Sequence, residues 1–173
     1  PGSVFQMINE GVSVLPEIRI DSAEWKDYTV SFQEIYAQFE GFRDNATFRI
    51  WNGEGAYTIY IDGIRAVKEE STGSDAPADA WYLFDDETCA DGGWSWAQTD
   101  VTWLAEEDGA TGVLKVYTNT SGESYFNNKS MWRAVFDEAH YAEYDYLVFR
   151  MKTDRPGSVF QMINEGVSVL PEI

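Results

Sequence analysis

The stretch 144–162, YDYLVFRMKTDRPGSVFQM, decides the fold reading. Its first half is an extended run of β-branched and aromatic residues. Pro156-Gly157 then marks a tight turn, and Val159 to Met162 resumes as the next strand. The same turn and strand open the chain. Residues 1–18, PGSVFQMINEGVSVLPEI, recur letter for letter as residues 156–173, which sets a period of 155 residues. Internal repetition has to be read before any fold is assigned. Here it implies that the chain opens and closes inside a sheet.

Outward from that stretch, short strands recur throughout. The alternation predicts strands at 28–32 (YTVSF), 46–51 (ATFRIW), 57–67 (YTIYIDGIRAV), 81–84 (WYLF), 113–117, 130–136 and 144–152. Phe48 and Ile50 share one parity while Thr47 and Arg49 share the other. Turn residues separate the strands, including Asn52 to Gly55 and Asp108-Gly109. Helical pattern is confined to short pieces at 39–44 and 137–143. About ten strands at this spacing predict an all-β protein, a two-sheet antiparallel sandwich of jelly-roll type.

One period is ample for a single-core domain. Residues 71–80, STGSDAPADA, form the only linker-like stretch, small and polar. This places the seam between repeats there. Residues 1–70 read as the C-terminal half of one sandwich domain, and 81–173 as the N-terminal half of the next, with 156–173 duplicating 1–18. Three origins fit: a tandem array, a circular permutant with a duplicated strand, or one repeat of a continuous fibre. The array is favoured.

The chain carries 30 acidic and 12 basic residues, a net charge of −18; without the duplicated Glu165 and Glu172 it is −16. Such a surface repels nucleic acid and anionic membranes, and no apolar run is long enough to span a bilayer. The acidity also serves plain solubility. Seven Trp, ten Tyr and ten Phe exclude disorder. Cys89 is the sole cysteine, so no disulfide forms within a domain; a buried inert thiol is its commoner fate, and a bridge between neighbouring repeats is the alternative. Glycosylation sequons stand at Asn45, Asn119 and Asn128.

The sequence points away from catalysis. The only histidine, His140, lies in an acidic segment without a recognisable nucleophile. Acid pairs such as Glu106-Glu107 and Glu69-Glu70 carry little information in so acidic a chain. A sugar site needs flat aromatic rings for the C–H faces of the sugar and polar groups for its hydroxyls. Trp94 and Trp96, on one side of a strand beside Gly92-Gly93 and Gln98, match best. Tyr125 and Trp132, flanking Asn127 to Ser130, are a second option, with Trp51 and Tyr36 weaker ones. Against each stands ordinary packing, since tryptophan is highly buried on average.

Three stretches carry a family resemblance: FDDE at 84–87, YDYLVFRMKT at 144–153, and EWKDYTVSF at 24–32 with YIDGI at 60–64. Taken together they resemble β-sandwich carbohydrate-binding modules with the galactose-binding-like jelly roll. The resemblance implies a structural Ca²⁺ held by Asp62 with Asp85, Asp86 or Glu87, whose hard oxygens suit that ion. It also implies a glycan or polysaccharide as partner and an extracellular or cell-surface setting. Two functions follow. One is a non-catalytic glycan-binding repeat gaining avidity from neighbouring identical repeats. The other is a purely structural repeat of an extracellular fibre, assembled head to tail or by strand exchange. Strand exchange leads to oligomers that vanish when residues 156–173 are removed.

Overall fold

The computed structural model describes residues 11–13, 18–33, 46–51, 55–68, 80–84, 94–96, 99–119, 123–127 and 143–165. Among them lie twelve strands: β1 (Gly11–Ser13), β2 (Ile18–Ile20), β3 (Lys26–Ser31), β4 (Ala46–Trp51), β5 (Tyr57–Val67), β6 (Trp81–Phe84), β7 (Trp94–Trp96), β8 (Thr99–Glu107), β9 (Ala110–Thr118), β10 (Glu123–Asn127), β11 (Tyr146–Thr153) and β12 (Ser158–Glu165). Every described ladder is antiparallel.

The ladders fall into two six-stranded groups. One runs β1-β12-β4-β10-β7, with β2 also on β12. The other runs β3-β11-β5-β9-β8, with β6 also on β5. Both groups draw strands from either side of 71–80, and β5 pairs directly with β6 across that stretch. Residues 71–79 themselves, like the expected strand at 130–136 and the short helical pieces at 39–44 and, up to residue 142, at 137–143, lie outside the described residues.

Local chemistry explains the elements. The β8–β9 hairpin closes on Asp108-Gly109, with Glu107 opposite Ala110 and φ of 47° and 77° at the two turn residues. Two residues in the left-handed region match the twist of the flanking strands, which is why Asp-Gly stands there. Between β11 and β12, Pro156 fixes one turn torsion. Gly157 takes φ 103°, a conformation that costs a side-chain-bearing residue strain. The Ser158 N–H closes this turn on the Arg155 carbonyl at 3.3 Å.

Strand β5 contains a bulge. Arg150 pairs with Gly63 while Met151 pairs with Ile61, so Asp62 is the extra residue. The bulge re-phases the strand. Ile59 and Ile61 before it, and Ile64 and Ala66 after it, are all buried, although odd positions give way to even ones. Opposite them Leu147, Phe149 and Met151 of β11 are fully buried, and Leu114 and Val116 of β9 continue the apolar layer.

A polar network ties β11 to the crossover into the other sheet. The buried Thr153 hydroxyl donates to the Thr58 carbonyl at 2.8 Å and accepts from the Arg155 N–H at 3.2 Å. The Ser158 hydroxyl donates to the Arg155 carbonyl at 2.8 Å. Backbone bonds from Thr153 to Ser22 and from Gly157 to Ile20 hold β2 alongside.

Candidate functional site

Face parity in the first sheet follows from β2. Arg19 is exposed, whereas Ile18, Ile20 and Ser158 are buried. In an antiparallel ladder, directly opposed residues share a face, and so do residues two apart along a strand. Val159 is opposite Arg19, Trp51 opposite Val159, and Glu123 opposite Trp51. Tyr125 stands opposite both Arg49 and Trp96, and Asn127 opposite Trp94. Positions 51, 94, 96 and 125 therefore share the face of exposed Arg19, with Arg49, Gln161, Glu123 and Asn127 as the polar positions among them.

Position 125, from the second aromatic option, is the cross-strand neighbour of position 96 from the first, and Trp51 joins them one strand further on. Residue spacing alone held no signal for this, because 96 and 125 meet only through the β7–β10 register. Gln98 and Trp132 lie outside the described residues, as do Asn45, Asn128, Cys89, His140 and Tyr36. Asn119 is exposed just beyond β9, accessible as a sequon requires.

The second sheet carries a cluster that the sequence reading passed over. Lys152 is 4% exposed and pairs with Glu107 at 3.1 Å and with Asp108. Its ammonium lies 4.7 Å from the centre of the Tyr60 ring and 5.0 Å from that of Trp25. Arg150 reaches Asp62 at 2.7 Å and Asp27 at 3.8 Å and sits 5.9 Å from the Trp25 ring. Buried Arg65 holds Asp27 at 2.5 Å. The Asp62 bulge brings that carboxylate to Arg150. The signal for it was Gly63 inside a strand, a usual mark of a bulge.

Within this cluster every base has a carboxylate partner: Lys152 has Glu107 and Asp108, Arg150 has Asp62, and Arg65 has Asp27. Glu107, one half of an acid pair in the sequence, is a counter-ion to Lys152. Asp62, the one expected Ca²⁺ ligand among the described residues, is engaged by the Arg150 guanidinium. Among the described residues no group of three or more metal-ligating side chains occurs. Asp85, Asp86 and Glu87 lie outside them, past the end of β6 at Phe84.

The second sheet also predicts an alkaline limit to stability. Burial alone pulls the Lys152 ammonium down, but the Asp108 and Glu107 carboxylates outweigh it and hold the group above its usual value. Burial and the Asp21 hydrogen bond push Tyr28 up to about 12, and burial with the nearby charge of Glu107 raises Tyr60. All three groups hold their protons more tightly folded than unfolded. Their stabilising contribution is therefore intact below pH 10 and is lost as pH rises toward 12. Urea midpoints are expected to fall steadily from pH 10 to pH 12; a flat or rising profile contradicts this assignment.

Comparison with known proteins adds no identity: no protein-family model, curated protein or solved structure matches this chain.

Proposed function

We propose that the chain is a non-catalytic glycan-binding repeat of an extracellular protein, with the two sheets as leaves of a jelly-roll sandwich. The supporting observation is the register that sets Trp96 against Tyr125 and Trp94 against Asn127, on the face of exposed Arg19. Aromatic positions at 51, 94, 96 and 125, interleaved with Arg49, Gln161 and Glu123, supply what a sugar surface requires. Flat rings take the apolar faces, and amide, guanidinium and carboxylate groups take the hydroxyls. The ion-paired cluster of the second sheet serves stability instead.

Affinity electrophoresis in gels containing mixed-linkage β-glucan, xylan, galactan or mannan tests the reading. At least one polysaccharide is expected to retard the chain. Trp96→Ala and Tyr125→Ala each weaken that binding about tenfold, equivalent to roughly 1.4 kcal/mol, with unchanged melting temperature. No retardation in any gel, or retardation indifferent to Trp94→Ala, Trp96→Ala and Tyr125→Ala, sinks it.

One observation favours the structural-repeat alternative. β1 comes from the first copy of the eighteen-residue segment and β12 from the second, and the two pair with each other. A fibre needs such contacts between equivalent segments.

A further inference from the structure

Ser158–Glu165 (β12) is an interior strand, bound on one side by β4 and on the other by β1 and β2. Its residues are those of 3–10, displaced by the 155-residue period. The β1–β12 register sets Gly11 opposite Glu165, Val12 opposite Asn164 and Ser13 opposite Ile163. In the first copy the residues equivalent to 165, 164 and 163 are Glu10, Asn9 and Ile8. Glu10 is covalently bonded to Gly11. No hairpin turns back without a loop, and the tightest common one spends two residues. A copy of the segment therefore cannot supply the strand that its own 11–13 requires. The strand in this slot has to come from a different copy.

Within one molecule that copy is 158–165. Between molecules, residues 3–10 of any second chain present the same eight side chains in the same order, with the same backbone donors and acceptors. They meet the registers of β1, β2 and β4 equally well. From these facts we infer that the slot between β4 and β1–β2 is an exchange site, whose partner is the first copy of the segment from a second molecule of this chain. The contact is strand addition into a sheet, with main-chain hydrogen bonds for affinity and alternating side chains for register. It does not depend on glycan binding. It supplies the intermolecular contact that the structural-repeat alternative needs.

On this inference the outcome of deletion differs from the sequence expectation that oligomers vanish without residues 156–173. Removing the second copy empties the slot, so it promotes exchange instead of abolishing it.

Full-length proline variants provide the test. Phe160 is paired on both sides, with Ile50 and with Ile18, so its N–H faces a ladder whichever way it points. Phe160→Pro removes that donor and disables the internal strand; Phe5→Pro disables the equivalent position of the first copy. Phe160→Pro is expected to keep the wild-type far-ultraviolet β signal while its sedimentation mass about doubles with rising concentration. Phe5→Pro stays a folded monomer. The double variant loses its β signal at every concentration. Excess synthetic peptide PGSVFQMINEGVSVLPEI restores it as a complex of one chain with one peptide. Three results overturn the inference: Phe160→Pro remaining a folded monomer throughout, Phe160→Pro unfolding at all concentrations without rescue by peptide, or a double variant that the peptide leaves unfolded. None of them bears on polysaccharide retardation by the intact chain.

Discussion

Phe149→Ala is expected to destabilise the chain by about 3–5 kcal/mol, the range for deleting a fully enclosed aromatic ring. Phe149 is 0% exposed, with Tyr28 opposite it on β3 and Ile64 on β5. A sheet interior held by strands on both sides collapses little around a void, so lost transfer energy and residual cavity both count. The position sits just before the bulge that re-phases β5, where Ile61 and Ile64 must both face inward against β11. Chemical denaturation measures the loss, and a melting temperature lower by roughly 10 °C accompanies it. Thr102→Ala on exposed β8 is the comparison, with an effect within about 0.5 kcal/mol. A Phe149→Ala loss no larger than that would remove Phe149 from the core.

Asp27→Asn is expected to cost on the order of 3 kcal/mol, because it leaves the Arg65 guanidinium buried without its anion. Arg65 is 5% exposed and its Nη2 bonds Asp27 at 2.5 Å. The next cation to Asp27, Arg150, is 3.8 Å away and is engaged mainly with Asp62. Arg65→Met removes the buried charge together with its desolvation cost. The double variant Asp27→Asn with Arg65→Met should therefore be clearly more stable than Asp27→Asn alone. Denaturation of the four species as a cycle gives the coupling. Additive losses would mean that the pair does not function as a buried unit.

Much of this architecture was legible in the sequence, for identifiable reasons. The strands Ala46–Trp51, Tyr57–Val67 and Trp81–Phe84 stand where alternation and β-rich composition put them, and the Pro156-Gly157 and Asp108-Gly109 turns follow from torsions that few other residues adopt. Strand β8 is not legible in the sequence, because TDVTWLAEE has no clean alternation. It lies at a sheet edge and is largely exposed, so nothing forces one parity inward. The Asp108-Gly109 hairpin turn still implies a strand on each side of it. Gly63 inside a strand marks a bulge there, but that Asp62 is the extra residue follows only from the register with β11.

The candidate sugar face divides the same way. Trp94 and Trp96 were recognisable as aromatic positions on one side of a strand, because local pattern shows which residues share a side, and Tyr125 as an aromatic position beside the polar loop 127–130. That 96 meets 125, and that 51 lies beyond it, depended on pairing between strands remote in the chain. Elements, turns and the duplicated segment thus came from local backbone preference and from identity between two stretches, both written along the chain. Which strands pair, where the ladder slips by one residue, and that one copy of the segment must pair with another were settled in three dimensions. Those outcomes reflect backbone hydrogen bonds and apolar faces satisfied jointly by distant strands, a condition no local window contains.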